Sequence, residues 1–241
     1  MCGEASDEEK AREKGMMRIS VVVPALNEEK YIHKLLRSLA RQNPRPFEVI
    51  VVDGCSRDRT AEIARELGAK VIVKPSNIAE ARNIGAWASS GDRIFFLDAD
   101  TILPPGFMEE LQKLGPVDCA VFRPEPLENC FIARFGYIAG WLFCRLKLAN
   151  PCYMGLLVRK DIFKAVGGFR PDLNYSEDLD LLRKIAKRTK IRYPKHMYVL
   201  NSTRRWIKDG RMILSETLKI IWRIIEYLIT KKSRGRYPIY R

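Results

Sequence analysis

Residues 91–100 read Gly-Asp-Arg-Ile-Phe-Phe-Leu-Asp-Ala-Asp, and this stretch decides how the chain folds. The run 93–97 predicts a buried strand, and two carboxylates, Asp98 and Asp100, follow at its carboxyl end. Ligand sites in open α/β sheets gather at the carboxyl ends of strands. Paired carboxylates suit Mg²⁺ or Mn²⁺ that carries a substrate's phosphates, although a strand followed by an Asp-rich turn gives the same pattern.

Hydrophobic strands alternate with amphipathic helices on the amino-terminal side of this stretch. A strand is predicted at 18–23, ended by Pro24, and a helix is predicted to begin at Asn27 or Glu28. The same alternation continues with strands at 47–52 and 70–73 and helices at 59–67 and 79–89. This order is typical of βαβ units, so we expect an α/β fold with a Rossmann-like, mostly parallel sheet flanked by helices.

After Asp100 the pattern is less regular. Helices are predicted at 106–114 and 178–189, with strands at 119–122, at 155–158 and within 191–200. The apolar stretch 131–149 contains Arg134 and Arg145 and is too short between them to span a bilayer. A chain of 241 residues suits one large domain, which we place at 17–206.

The positive charge is concentrated at the carboxyl-terminal end. The net charge is +14, yet residues 181–241 hold 18 Lys and Arg against 3 Asp and Glu, a net charge of +15. The first 180 residues hold 25 Lys and Arg against 26 Asp and Glu, so they are close to neutral. Such asymmetry predicts an anionic partner, which is a lipid headgroup, a phosphorylated substrate or a nucleic acid.

A basic amphipathic helix and tail are predicted at 207–241. Of the 18 residues in 212–229, 12 are apolar, and the four charges among them exclude an ordinary membrane span. Such a helix either packs on the domain or lies in a membrane interface. Basic residues that follow it favour contact with an anionic membrane, and they are Lys231, Lys232, Arg234 and Arg236.

Cysteine usage and the amino terminus predict the compartment. The six cysteines form no CxxC pair and no metal-ligand spacing with the two histidines, which is typical of reduced thiols. Residues 1–16 form a polar tail without the apolar segment of a signal peptide. We therefore expect a cytoplasmic protein, peripheral on the inner face of the membrane.

Six short motifs occur in order along residues 17–206. They are PALNE (24–28), VVDGCSRDRT (51–60), ARNIG (81–85), LDAD (97–100), VGGF (166–169) and SED (176–178). Together they resemble the GT-A fold of the family 2 inverting glycosyltransferases. The resemblance implies a nucleotide-sugar donor, usually a UDP sugar, bound at the carboxyl edge of the sheet with Mg²⁺ or Mn²⁺.

The resemblance also assigns residues to the donor. Pro24 and Glu28 match positions that hold the nucleoside, and Asp53 matches the carboxylate that accepts a hydrogen bond from the uracil imide. Arg82 matches a basic residue that faces the diphosphate. Asp98 matches the ribose contact and, together with Asp100, the metal site. Ordinary structural explanations also exist, since Glu28 and Asp53 suit a helix start and a turn, and Arg82 suits a solvated helix face.

Inverting transfer needs a base opposite the leaving group. The resemblance assigns this role to Asp178 and contact with the acceptor, or orientation of the loop, to Glu177; alternatively both acidic residues simply begin a helix. The segment 202–206 is similar to the QxxRW motif of processive synthases, but Ser202 replaces the glutamine, so we expect a non-processive enzyme. Arg205 and Trp206 are expected to line the acceptor site, unless Trp206 is a core residue.

The acceptor is expected to be a polyprenyl phosphate or a glycolipid, because the basic carboxyl-terminal quarter and the apolar segments favour a membrane surface. A soluble acceptor and an inactive nucleotide-sugar binding protein are the alternatives. Retention of Asp98, Asp100 and Asp178 argues against the inactive form. No nucleic-acid partner is expected, because the chain has no RNP, zinc or helix-turn-helix signature.

Overall fold

The structure is a computed structural model. It describes residues 16–128, 134, 137–138, 155–173, 176–204, 207–208, 211–212, 226 and 229–230. Every helix, strand and contact discussed below lies within these residues.

The amino-terminal half is a set of parallel βαβ units. Strand β1 (Ile19–Ala25) leads into helix α1 (Glu29–Ala40), and the following elements repeat the pattern. They are β2 (Glu48–Asp53), α2 (Thr60–Glu66), β3 (Lys70–Val73), α3 (Ile78–Ala88) and β4 (Arg93–Phe96). β1 pairs in parallel with both β2 and β4, and β2 pairs in parallel with β3.

The second half completes this sheet and adds smaller ones. Its elements are β5 (Thr101–Ile102), α4 (Phe107–Lys113), β6 (Cys119–Val121), β7 (Arg123–Pro126), β8 (Leu156–Arg159), α5 (Lys160–Ala165), α6 (Glu177–Ala186), β9 (Ile191–Arg192), β10 (Tyr198–Asn201), β11 (Ile207–Lys208) and β12 (Arg211–Met212). The main sheet has the order β3-β2-β1-β4-β8-β6-β9, with β8 antiparallel to β4 and β6. A three-stranded sheet, β5-β10-β7, lies after β4 in the chain, and β11 pairs with β12.

Both faces of the main sheet are covered. Val21 and Val23 of β1 belong to the core on one face, together with buried residues of α1 and α4. Val22 belongs to the core on the other face, with residues of α3, α5 and α6. Because side chains alternate along a strand, a run of valines buried on both sides is what a central parallel strand requires.

The predicted α/β fold is confirmed, with three local corrections. β1 continues through Pro24 to Ala25 instead of ending there. The backbone oxygen of Val22 accepts a hydrogen bond from Leu97 N at 3.1 Å. The backbone groups of every second residue of β1, which include those of Val22 and Pro24, therefore point toward β4. β4 itself ends at Phe96, and the N–H that Pro24 lacks would therefore have no strand partner to bind.

The other two corrections lie near the carboxyl terminus. The single strand predicted within 191–200 is two strands, β9 and β10, which belong to different sheets. Met212, the predicted first residue of the last helix, lies in β12. Glu226 and residues 229–230 are helical, and the rest of that predicted helix lies outside the described residues.

Candidate functional site

The motifs of the amino-terminal half meet at the carboxyl edge of the main sheet. Ala25 at the end of β1 pairs with Asp53 at the end of β2, and Val22 pairs with Phe96 near the end of β4. The chain leaves each of these strands at the same edge. Glu28, Asp53 and Asp98, predicted from separate motifs, therefore follow strand ends that lie side by side.

Hydrogen bonds join the loops that follow β1 and β2. Ser56 Oγ accepts from Asn27 N at 2.8 Å, Asn27 Oδ1 accepts from Arg57 N at 2.9 Å, and Thr60 Oγ1 accepts from Glu28 N at 2.7 Å. Asn27 has a φ of 57°, a left-handed conformation that asparagine tolerates better than most residues. These bonds hold the predicted nucleoside loops together as one unit.

Asp53 is buried at the base of this unit. Its carboxylate accepts hydrogen bonds from the backbone N–H of Ser56 at 3.2 and 3.3 Å and from the Ser56 hydroxyl. Cys55, between them, has a φ of 68°. Asp53 thus stabilises the turn after β2 as the aspartate of an Asx turn does. The turn-forming role considered for Asp53 in the sequence therefore applies, and it is compatible with a contact to a nucleotide base.

Arg82 connects two motifs that are far apart in the sequence. Its Nη2 donates to Asp98 Oδ1 at 3.0 Å, and its Nη1 donates to Glu177 Oε1 at 2.9 Å. The side chain is 9% exposed, which excludes the solvated helix arginine considered above. Its guanidinium carbon lies 5.3 Å from the ring centroid of Phe169, within cation–π range. One buried cation thus joins the end of β4 to the start of α6.

Helix α3 positions Arg82 through a well-formed amino terminus. The Asn77 side chain accepts from Glu80 N at 2.9 Å, and the Glu80 side chain accepts from Asn77 N at 2.8 Å, which is a capping box. The side chain of Asn83, next to Arg82, binds both backbone groups of Phe169. Its Oδ1 accepts from Phe169 N at 2.9 Å, and its Nδ2 donates to Phe169 O at 2.8 Å. This contact fixes the ring that lies against the Arg82 guanidinium.

The turn before Phe169 requires glycine. Gly168 has a φ of 68°, and a Cβ added there would lie 2.6 Å from Asn83 Oδ1. Any larger residue would therefore be strained and would also displace the Asn83 side chain. The VGGF and ARNIG motifs are two sides of one contact.

Glu177 and Asp178 begin α6 but differ in their environment. Glu177 is buried, and its bond to Arg82 makes it a partner of that residue. Asp178 is half-buried, accepts from Leu179 N at 2.8 Å, and has no salt bridge with any described residue. Desolvation, and then the Glu177 carboxylate, raise the pKa of Asp178 well above its ordinary value, while Arg82 opposes the rise.

The three-stranded sheet brings a carboxyl-terminal segment against Asp100. Asn201 of β10 pairs with Thr101 of β5, and its Nδ2 donates to Asp100 Oδ1 at 3.2 Å. Arg204 follows, and its Nε donates to Asp100 Oδ2 at 3.1 Å. Its Nη2 lies 2.6 Å from both carboxylate oxygens of Glu28. Both oxygens of Asp100 are thus engaged.

Asp98 and Asp100 are the residues that fit a divalent metal. No group of three or more His, Cys, Asp and Glu side chains among the described residues is arranged to hold a metal. Mg²⁺, however, is commonly held by one or two carboxylates and completed by substrate phosphates and water. The buried Asp100 carboxylate has hard oxygens of the kind that such a cation prefers, and in this structure the Arg204 guanidinium neutralises its charge.

Sequence patterns identified some of these residues and missed others. The predicted residues Glu28, Arg82, Asp98, Asp100 and Glu177 are linked by the contacts above, whereas Arg205 and Trp206 lie outside the described residues. Arg204 was missed, although its segment was singled out, because the QxxRW similarity drew attention to its two neighbours. Asn83 lies within the ARNIG motif, but the resemblance assigned a role only to its neighbour Arg82.

Part of the chain matches the sequence model of a known family. Residues 20–115 match the sequence model of glycosyl transferase family 2. An uncharacterized glycosyltransferase of Haemophilus influenzae is 31% identical over 183 residues, an alignment that covers 70% of this chain and 62% of that protein. The chain thus spans less than two thirds of the length of this relative.

Two solved structures share the fold. The mannosyltransferase PcManGT of Pyrobaculum calidifontis, in complex with GDP-Man and Mn²⁺, has a TM-score of 0.69 at 18% identity, covering 92% of this chain and 66% of that one. S. aureus TarS 1-349, in complex with UDP-GlcNAc, has a TM-score of 0.65 at 24% identity, covering 83% of this chain and 61% of that one. The chain therefore has the GT-A fold, and its residues 20–115 match glycosyltransferase family 2.

Proposed function

We propose that the protein is a metal-dependent, inverting and non-processive glycosyltransferase. It moves a sugar from a nucleotide diphosphate sugar to a hydroxyl or phosphate group of an acceptor at a membrane surface. The observation that carries the proposal is the Arg82 bridge, which joins Asp98 of the donor motif to Glu177, the neighbour of Asp178. A donor and a base need to be held within one site, and this bridge supports that arrangement.

Donor binding is assigned to the carboxyl edge of the sheet. Pro24, Glu28 and Asp53 lie in or next to the joined loops after β1 and β2, which supports their assignment to the nucleoside. Arg82 is suited to steer the diphosphate side of the donor, because a guanidinium matches two phosphate oxygens. A donor with UDP and a donor with GDP both fit this assignment, and solved structures of the same fold hold UDP-GlcNAc and GDP-Man.

Asp98 and Asp100 would hold Mg²⁺ or Mn²⁺ in this proposal. The cation, when bound, supplies neutralisation of the charge that develops on the departing diphosphate. The PcManGT structure of the same fold holds Mn²⁺ with its nucleotide sugar, which supports the assignment.

Asp178 is proposed as the base that takes the proton from the attacking hydroxyl. Its carboxylate lacks a salt bridge with the described residues and keeps partial exposure, so it can reach an incoming acceptor. Its raised pKa makes it a stronger proton acceptor than an ordinary aspartate. Glu177 is buried against Arg82 and is better suited to position that arginine than to touch the acceptor.

The acceptor is proposed to be a polyprenyl phosphate or a glycolipid. The charge of +15 on residues 181–241 supports binding to an anionic surface. Within the part of the chain that the structure describes, no helix has the length and hydrophobicity needed to cross a bilayer. Contact with the membrane is accordingly proposed as peripheral.

The proposal is tested with a panel of UDP- and GDP-sugars and Mn²⁺. We expect one donor to raise the melting temperature and to release its nucleoside diphosphate in a metal-dependent reaction. The Asp100→Asn variant should lose this turnover and remain folded. Asp92→Asn, at the opposite end of the same strand and exposed, is the matched control and should retain it. Full activity of Asp100→Asn, or of the native protein in excess chelator, contradicts the proposal.

A further inference from the structure

Arg204 occupies the place between the predicted nucleoside loop and the predicted metal site. Its guanidinium bonds to both oxygens of Glu28 at 2.6 Å and to Asp100 Oδ2 at 3.1 Å. It also lies 4.1 Å from the ring centroid of Tyr31, on the first turn of α1. The three contacts hold its planar group on three sides.

The segment that carries Arg204 is itself fixed. Glu128 accepts hydrogen bonds from Ser202 Oγ at 2.8 Å, from Thr203 N at 2.7 Å and from Thr203 Oγ1 at 3.0 Å. Ser202 N donates to the backbone oxygen of Asp100 at 3.2 Å. The backbone therefore holds the Arg204 side chain within reach of Asp100.

Charge in this region makes the position of Arg204 significant. The Asp100 side chain is 3% exposed and the Glu28 side chain 11%, so both carboxylates need a nearby cation. Arg204 supplies it through charge-assisted hydrogen bonds. A divalent cation on Asp100 would compete with Arg204 for this carboxylate, because two cations on one carboxylate repel each other.

We propose that Arg204 is a donor-binding residue that exchanges partners on donor binding. In the donor-free protein it serves as the counter-ion of Glu28 and Asp100. When Asp100 binds a divalent cation, Arg204 releases Asp100 and binds the donor's diphosphate, whose oxygens match its planar fork. This inference rests on the proposed function and assigns a diphosphate-binding residue outside the motifs that carried the resemblance.

The exchange makes two predictions of opposite sign. Removal of the Arg204 charge should tighten binding of Mn²⁺ alone, because no ionic hydrogen bond to Asp100 has to be broken. The same change should weaken binding of a nucleoside diphosphate in saturating Mn²⁺, because the diphosphate loses a cation. A purely structural role for Arg204 would weaken both, since loosening the segment would disorder the whole site.

The experiment measures both affinities by titration calorimetry on the full chain. The variants are Arg204→Met and Arg204→Lys, and the probes are Mn²⁺ alone and then UDP or GDP in saturating Mn²⁺. For Arg204→Met we expect about tenfold tighter Mn²⁺ binding and about tenfold weaker diphosphate binding, the effect of losing one ionic hydrogen bond in each state. Arg204→Lys keeps the charge, so Mn²⁺ affinity should stay near the native value while diphosphate affinity falls.

Arg159→Met is the matched control. Arg159 also bridges two carboxylates, Asp118 at 2.7 Å and Asp161 at 2.6 Å, but at the opposite edge of the sheet, next to the start of β4. The Arg159→Met variant should change neither the Mn²⁺ affinity nor the diphosphate affinity. If Arg204→Met fails to fold, Arg204→Lys decides alone, because unchanged diphosphate affinity in that variant overturns the inference.

The outcomes separate this inference from the proposed function. Native protein that binds a diphosphate with Mn²⁺, together with a folded Arg204→Met whose Mn²⁺ affinity is unchanged or weaker, overturns the exchange alone. Native protein that binds neither UDP nor GDP in Mn²⁺ overturns the proposed function and the exchange together. Opposite shifts of the two affinities support the exchange.

Discussion

Two arginines organise the candidate site of this protein. Arg82 is bound to Asp98 and Glu177, and Arg204 is bound to Glu28 and Asp100. Isolated buried carboxylates are costly, and each arginine offsets that cost for a pair of them. Asp178 stays outside both pairs among the described residues, which leaves its carboxylate available for chemistry.

The first prediction concerns the proposed base. Asp178→Asn keeps the size of the side chain but removes the proton acceptor, so transfer should fall by about 10²–10⁴. Donor affinity should change little, because the donor contacts are assigned to other residues. Single-turnover rates and donor titration measure the two quantities. Parallel losses of rate and donor affinity would instead indicate a structural role.

The second prediction concerns pH. The pKa of Asp178 is raised well above the ordinary 3.8, first by desolvation and then by Glu177. A base acts when it is ionised, so transfer should increase with pH until that raised pKa is passed and then level off. The rate of the native protein at saturating donor and metal is measured from acidic to neutral pH.

Asp178→Asn supplies the comparison for the pH profile. Its residual rate should lack the rising limb, because the titrating group is gone. If the native rate is already level near the ordinary carboxyl pKa, then Asp178 is ionised throughout the profile. That result would contradict the raised pKa of Asp178 that the structure indicates.

Helix α3 is the element on which the site depends most. It carries Arg82 and Asn83 on adjacent positions, so one helix contacts both Asp98 and the turn at Phe169. Gly85 lets this helix lie close to the sheet, because a Cβ there would come within 2.4 Å of Val22 Cγ1. The helix is thus fixed at its start by a capping box and in its middle by close packing.

The third prediction concerns that capping box. Asn77→Ala should lower the free energy of unfolding by about 1 kcal/mol, because the helix loses the acceptor for its N3 amide. Asn77→Asp is the control, since it keeps the acceptor but loses the bond from Asn77 Nδ2 to Pro171 O. Urea denaturation should find the aspartate variant close to native. An equal loss in both variants would assign the stability to the Pro171 contact instead.

The whole molecule combines a nearly neutral body with a basic end. Residues 181–241 carry a net charge of +15, and Arg204 shows that part of this charge faces carboxylates of the site. We therefore expect the native protein to bind anionic vesicles and to bind neutral ones weakly, with binding that fades as salt rises.

The fourth prediction concerns this surface. Replacing four basic residues by glutamine should weaken binding to anionic vesicles by roughly 1,000-fold, at about 1 kcal/mol each. These residues are Lys231, Lys232, Arg234 and Arg236. The control removes the same charge from four exposed residues elsewhere, which are Arg37, Arg41, Arg65 and Lys70. Co-sedimentation at two salt concentrations measures the difference, and equal losses in both variants would mean that only net charge matters.

Local sequence patterns were sufficient to predict the sheet and its carboxyl edge. The buried run before Asp98, the valines of β1 and the glycines at 167–168 follow from burial, side-chain alternation and backbone sterics, each of which acts within a few residues. These effects predicted the strands approximately, with β1 running past Pro24 to Ala25, and they predicted which carboxylates follow the strands. The family resemblance then related those positions to a nucleotide sugar.

Contacts between distant segments depended on the folded chain. Arg204 is 104 residues from Asp100 and 176 from Glu28, and Arg82 is 95 residues from Glu177. No local pattern pairs such residues, because the pairing is set by sheet order and by the packing of β10 beside β5. The strand ends that form the site are thus encoded locally, whereas the arginines that neutralise its carboxylates are selected by the packing of segments far apart in the chain.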